Sequence, residues 1–312
     1  MVKLLGYLFQ AARPRQWLKN LGVFAAITFT GQFFNPQLLK ISVLAFLIFS
    51  ILSSASYLIN DLIDISRDQL HPTKRLRPIA RGVLPKNLAL AVALSGVALG
   101  IGLSLALSPS FFIVAFGFLG IHLLYSFFLK NIAVVDILAI ALCYILRVYG
   151  GEAATGFHIS IWLMLCVISL SLFLAIGKRR SELTLLAGYN GIVSSKVRKS
   201  LSHYSERLLD VYTAIFANST WITYAFFTFL ERPPYIGWFW QSQWKRFFEF
   251  PERKWLMITI PLVIYGIMRY LQLIYEKSEG ESPEEVLLSD RPLFFTVSLW
   301  ILTTVFIIYG FG

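Results

Sequence analysis

Three aspartates stand at positions 61, 64 and 68 in the stretch Asn60-Asp61-Leu62-Ile63-Asp64-Ile65-Ser66-Arg67-Asp68. The spacing i, i+3, i+7 sets all three on one face of a helix, and Asn60 lies four residues before Asp64. Three carboxylates on one face repel one another unless something positive sits among them. Hard oxygen ligands suit Mg²⁺, which usually binds through one or two carboxylates together with substrate phosphates. Asp61, Asp64 and Asp68 are therefore the candidate metal ligands and candidate catalytic residues, with Asn60 a candidate substrate contact. The alternative is a helix end that simply meets water. Acids at the C-terminal end of a helix oppose its dipole, so that arrangement brings no stabilisation of its own.

Cations follow the acids directly, in His71-Pro72-Thr73-Lys74-Arg75-Leu76-Arg77-Pro78-Ile79-Ala80-Arg81-Gly82. Pro72 and Pro78 stiffen the backbone and bracket Lys74, Arg75 and Arg77. Arginine grips phosphate in two-pronged fashion, and lysine acts as a point charge. Acids for a metal followed at once by bases for a polyanion imply a metal–diphosphate site. Charge anchoring at a membrane surface, the competing explanation, needs only positive residues in any order.

Other charged and phenolic residues stand out within apolar surroundings. Tyr125 and Lys130 are placed to hold a phosphate, or equally to anchor a helix at a membrane interface. Arg147 is roughly 16 Å along a helix from Asp136, and a charge that deep faces a cavity or a partner by default. Phosphate binding is its first reading; an ion pair with Glu152 or Asp136 is the second. Lys19 reaches toward the same mouth or snorkels to the interface. Snorkelling is the default for Arg269. Cys143 and Cys166 read as small core hydrophobes, and the four histidines show no zinc-like spacing. Neither a Gly-x-Ser-x-Gly elbow nor a P-loop is present.

The elements that must position these groups follow from composition. Of 312 residues, 57% are hydrophobic and only 14% charged, against roughly 25% charged in an ordinary soluble domain. Mean hydropathy is +0.67. A disordered or soluble globular protein is excluded. Nine apolar stretches of helical-span length occur, at about 17–34, 38–60, 88–107, 110–129, 133–151, 159–177, 209–230, 255–275 and 293–311. None shows the sustained alternation of a membrane barrel, so the expected fold is an all-α integral membrane bundle of nine transmembrane helices in a single domain over 1–312. Loops 61–87 and 178–208 are basic, and 231–254 mixes Trp238, Trp240 and Trp244 with charges, as an interfacial aromatic belt does. The N-terminal stretch reads as retained, not as a signal peptide. The net charge is +11, and 20 of the 28 Lys and Arg fall on the side holding the N-terminus and both large basic loops. That side is expected to be cytoplasmic, with the C-terminus outside and the chain in the plasma membrane.

On Asn60, Asp61, Asp64 and Asp68 the sequence resembles the UbiA superfamily of intramembrane prenyltransferases, whose first signature is N-D-x-x-D-x-x-x-D. The longer string through His71, Lys74, Arg75, Arg77 and Gly82 is similar to the decaprenyl-phosphate phosphoribosyltransferase branch. So are Arg13–Asn20, Tyr125–Lys130, Arg147–Gly151, Lys178–Glu182, Tyr265–Tyr270 and Leu288–Pro292. The resemblance implies a nine-helix bundle around a cavity open to the cytoplasm. It also favours the functional reading of Tyr125 and Lys130. Ordinary superfamily members carry a second Asp-rich motif where this chain has Lys178-Arg179-Arg180, with Glu182 the sole nearby acid. Extra cations, including Lys178 and Arg179, suit a donor with more phosphate charge. The implied reaction is Mg²⁺-dependent transfer of 5-phosphoribose from phosphoribosyl diphosphate to a polyprenyl phosphate, releasing diphosphate. Its partners are those two substrates and the membrane. No nucleic acid is expected, and a homo-oligomer is compatible with the sequence. A prenyltransferase acting on a polar acceptor is the second reading. A transporter is the third, disfavoured because charge concentrates at one face and no clear repeat is seen.

Overall fold

The computed structural model describes residues 2–71, 73–187, 199–231, 254–277 and 282–311. Most of the 231–254 segment, with its proposed aromatic belt, lies outside the described residues, as does Pro72. Among the described residues every regular element is helical. In chain order the α-helices are α1 (Val2–Ala12), α2 (Ala25–Phe29), α3 (Pro36–Ile63), α4 (Ile65–Leu70), α5 (Lys86–Leu107), α6 (Pro109–Phe127) and α7 (Val135–Thr155). Then come α8 (Ile161–Ala187), α9 (Glu206–Leu230), α10 (Ile260–Lys277), α11 (Pro283–Ser289) and α12 (Arg291–Phe306).

Seven described helical stretches are long and apolar enough to cross a membrane, which makes the chain a multi-pass membrane protein. Two of the nine expected spans are not among them. The expected span 17–34 is a 3-10 stretch, Pro14–Phe24, followed by the five-residue α2. Asn20 and Gly22, and Gly31 with its positive φ of 73°, disfavour a continuous α-helix there. Expected span 209–230 does form a helix, the 25-residue α9. Its Asp210, Asn218 and run of hydroxyl residues dilute its apolar character.

Several helices start on chemical caps. Asn35 accepts from the backbone of Gln37 and Leu38 ahead of Pro36. Ser108 caps α6 ahead of Pro109, and Asp290 caps α12. Such caps satisfy amides that a helix start leaves unpaired, and proline fits the first turn because it has no amide to lose.

The core packs α3, α6 and α7 around Phe49, Phe111 and Phe118. Edge-to-face ring contacts at 5.3 and 5.0 Å hold the three together. Gly151 sets how closely α7 approaches the 3-10 stretch. A Cβ there would lie 2.0 Å from the Val23 carbonyl oxygen. Gly150 likewise admits the Phe49 ring. This close approach carries the middle of α7, with Arg147, against Asn20.

Candidate active site

The C-terminal end of α3 carries the acids, but not on one uninterrupted helix. α3 ends at Ile63, Asp64 is the junction residue with φ −95° and ψ 11°, and α4 resumes at Ile65. Asp61 and Asp68 nevertheless meet at one cation, whereas Asp64 turns to others, and among the described residues no three acidic side chains close on a single point. One guanidinium nitrogen, Arg77 Nη1, lies 3.1 Å from Asp61 Oδ1 and 2.7 Å from Asp68 Oδ2. Arg13 also pairs with Asp61. Lys130 Nζ lies 2.7 and 2.6 Å from the two oxygens of Asp64, and Arg67 approaches it at 3.5 Å. Burial raises the Asp68 carboxyl from its ordinary value, and Arg77 beside it pulls the other way.

These groups form part of the wall of a cavity of about 180 Å³. Eight cationic side chains line it (Arg13, Lys19, Arg67, Lys74, Arg77, Lys130, Arg147 and Lys178) against three acidic ones, Asp64, Asp68 and Glu182. The surplus gives the cavity wall a net positive charge that favours anions. Asn60 lines it too, and its Oδ1 is buried with no hydrogen-bond partner among the described residues. Asp61, 2% exposed, sits just behind the wall, covered by its two arginines.

Arg147 lies about three turns along α7 from Asp136. It is 2% exposed. The second reading, an ion pair with Glu152 or Asp136, does not form. Its Nε donates to Asn20 Oδ1 at 2.6 Å and its Nη1 to the Cys143 carbonyl at 2.6 Å. Asn20 is itself held by Ser50. The guanidinium also lies 4.7 Å from the Phe118 ring centroid and 5.7 Å from that of Tyr144. Each of these partners is neutral, so the charge is positioned but not neutralised. Lys178 is a second cavity cation without an ion pair to any described residue.

Arg179 behaves in the opposite way. It is fully buried and off the cavity wall, with Nε 2.7 Å from Asp136 Oδ2 and Nη1 2.5 Å from Glu182 Oε2. It also donates to the Tyr125 hydroxyl at 2.7 Å. Tyr204 donates to Asp136 at 2.7 Å, and Lys74 reaches Glu182 at 2.7 Å. The expected substrate contact is thus the hub of a buried network that ties α7 and α8 to the basic loop. Tyr125 and Lys130 line the cavity but serve different partners, Arg179 and Asp64. Arg75 is exposed and off the cavity. Arg269 pairs with Asp290 through two contacts of 3.1 and 2.7 Å, away from the cavity.

Backbone strain marks two supports of the site. Arg13 has φ 54° and Val134 has φ 67°. A non-glycine residue there is sterically disfavoured and persists only where surrounding contacts hold it. Arg13 is held through Asp61. Val134 donates its amide to the Tyr204 hydroxyl at 2.5 Å, next to the Asp136 network.

Residue spacing alone did not single out Arg13, Tyr57, His122, Tyr144 or Glu182 as cavity residues. Part of the signal was legible. Tyr57 is four residues before Asp61, and Tyr144 is three before Arg147, so each shares a helix face with a recognised residue. His122 stands alone in an apolar run, without a spacing partner.

The sequence profile described as the UbiA prenyltransferase family matches residues 21–299. The chain is 36% identical over 308 residues to a protein of Mycobacterium tuberculosis named decaprenyl-phosphate phosphoribosyltransferase, covering 96% of this chain and 93% of that one. A protein of the same name from Corynebacterium glutamicum is 33% identical, with 97% and 86% covered. Among solved structures, a UbiA homolog from Archaeoglobus fulgidus bound to GPP and Mg²⁺ superposes with a TM-score of 0.70 at 21% identity, covering 97% of this chain and 99% of that one. The chain belongs to the UbiA prenyltransferase family, on the side of its decaprenyl-phosphate phosphoribosyltransferase relatives.

Proposed function

We propose that this protein transfers 5-phosphoribose from phosphoribosyl diphosphate to a polyprenyl phosphate such as decaprenyl phosphate, releasing diphosphate. The names of its near full-length relatives support this. The observation that carries it is a second cationic centre. Arg147 and Lys178 stand in the cavity, separate from the Asp61–Asp64–Asp68 cluster, with no ion pair to a carboxylate among the described residues. A prenyl diphosphate presents one anionic end, which the acid cluster and basic loop suffice to hold. Phosphoribosyl diphosphate presents two, and the acceptor phosphate adds another.

The residue types suit Mg²⁺: Asp61, Asp64 and Asp68 offer hard oxygens, and Asn60 Oδ1 is buried without a hydrogen-bond partner among the described residues. Arginine and lysine side chains now occupy the places of a cation on these oxygens, so the metal would displace them. Held by these three aspartates, Mg²⁺ would neutralise charge on the departing diphosphate. Arg77 and Lys130 flank the same oxygens and, with Lys74 on the cavity wall, stabilise the charge that grows as the C1–O bond breaks. Arg147, Lys19 and Lys178 hold the remaining phosphate groups. The acceptor phosphate forms the new C1–O bond. It is ionised at neutral pH, so no side chain need remove a proton. Single displacement inverts configuration at C1, and an α-linked product would sink it.

In this reading the 3-10 stretch with α2, together with α9, completes nine crossings. The cavity opens to the cytoplasm of a plasma-membrane enzyme, so the soluble donor enters directly and the acceptor tail stays in lipid. The test is incubation of purified protein with polyprenyl phosphate, Mg²⁺ and labelled phosphoribosyl diphosphate, and separately with labelled prenyl diphosphate and an aromatic acceptor. Label is expected in the lipid product of the first reaction, with the mass of a polyprenylphosphoryl-5-phosphoribose. Transfer only from the prenyl donor overturns the proposal.

A further inference from the structure

We infer that Glu284 selects the donor by accepting hydrogen bonds from its sugar hydroxyls. The inference rests on the reading of the donor as a phosphoribosyl diphosphate.

Glu284 lies on α11 and is 5% exposed. Both of its carboxylate oxygens are buried and make no hydrogen bond among the described residues. Among the described residues its one close charge partner is Lys19, whose Nζ lies 3.1 Å from Oε2. Lys19 is a wall of the cavity, as is Ser282, two residues before Glu284. Lys178 and Tyr144, also cavity walls, stand within electrostatic reach of Glu284. The buried Tyr270 hydroxyl, close enough to interact with the same carboxylate, likewise lacks a hydrogen-bond partner among the described residues. Buried polar side-chain atoms are hydrogen-bonded in the large majority of cases. A carboxylate can only accept, so its complement must donate.

A carboxylate beside an anion site is a poor choice for a donor made only of phosphate and hydrocarbon. It repels the phosphate, and if that phosphate draws Lys19 away, a buried carboxylate is left without its cation. A sugar phosphate resolves both problems. Its phosphate takes Lys19, and its hydroxyls donate to the carboxylate that Lys19 leaves. The exchange is complete only for a donor with both groups, so the Lys19–Glu284 pair discriminates between donor classes. Glu284 is a specificity residue here, reached through the displacement of Lys19.

The experiment uses the full chain in detergent with decaprenyl phosphate and Mg²⁺. Donors are phosphoribosyl diphosphate and its 2-deoxy and 3-deoxy analogues. For the wild type, kcat/KM is expected to fall on the order of 10- to 100-fold on loss of a recognised hydroxyl. In Glu284→Ala and in the isosteric Glu284→Gln, activity with phosphoribosyl diphosphate should drop toward the deoxy level. Activity with that deoxy donor should stay within about twofold of wild type. Gln keeps the side-chain volume, so it reports even if Ala disturbs the fold. A purely structural salt bridge predicts instead the same fractional loss with every donor, and that outcome overturns the inference. So does a wild type indifferent to both hydroxyls. A wild type that transfers nothing from phosphoribosyl diphosphate but does use a prenyl diphosphate overturns the functional reading itself, and the wild-type arm alone reveals it.

Discussion

Two arginines in this bundle are equally hidden, Arg147 at 2% and Arg179 at 0% exposure, yet their surroundings predict opposite consequences of removal. Consider Arg147→Met and Arg179→Met, which keep most of the side-chain volume. Arg179 neutralises two buried acids, Asp136 and Glu182. Removing one partner of a buried ion pair strands the other charge and costs about 3–5 kcal/mol. Tyr204 and Lys74 remain to support the two acids, which argues for the lower half of that range. Arg147 has no acid to strand. Its loss unpairs Asn20 Oδ1, a neutral acceptor, at about 1–3 kcal/mol. Relief from desolvating an unneutralised guanidinium offsets much of that, because burying such an ion costs several kcal/mol. The net change in stability for Arg147→Met is therefore expected within about 1 kcal/mol of zero. Function should invert the order. Arg147→Met should lose donor binding by a factor of about 10 to 100, as expected for a lost charge-assisted contact to phosphate. Arg179→Met should keep a near-normal KM in whatever fraction stays folded. Denaturant titration in detergent, followed by initial rates against donor concentration on the same preparations, measures both. If Arg147→Met is the one that unfolds while Arg179→Met stays stable with a raised KM, the assignment of roles is wrong.

Further outcomes follow from the same geometry. Asp61→Ala and Asp64→Ala should abolish turnover while leaving a folded protein, and chelation should abolish wild-type activity until Mg²⁺ is restored. Near-normal rates in both variants, or chelator-resistant activity, would remove the metal assignment. Lys74→Ala and Arg77→Ala should raise donor KM, whereas Arg75→Ala, exposed and off the cavity, should stay within about twofold of wild type. Equal effects across the three would show that the loop acts through bulk charge. Gly151→Ala should destabilise by about 1–3 kcal/mol or more, read as a lowered thermal midpoint, because the clash is with the Val23 backbone and not with a flexible side chain.

Much of this protein is legible along the chain. Long apolar runs dictate helices in lipid, because a backbone without water must satisfy its own hydrogen bonds. The i, i+3, i+7 aspartates and the cations that follow them are a local pattern, and local patterns survive folding. Across the break at Asp64, Asp61 and Asp68 stay together, gathered by Arg77 of the following loop, while Asp64 pairs with Lys130. Spacing cannot reveal which of two buried arginines faces an acid, since that depends on the helix packed opposite. Asp136 and Arg147 share α7, yet Asp136 is neutralised by Arg179 of α8 and Arg147 is held by Asn20 of the 3-10 stretch. Contacts between residues 43 and 127 positions apart leave no trace in periodicity. The same holds for Glu284, unremarkable in an acidic segment until folding places it against Lys19, 265 residues earlier. Sequence by itself determined the membrane class, the helices and the acid–base cluster, because each rests on composition or on neighbours within a turn or two. The tertiary structure alone decided which charges are neutralised and which remain to meet a substrate. That outcome is set by low-dielectric contacts between distant segments, where each acid must find a cation or go unsatisfied.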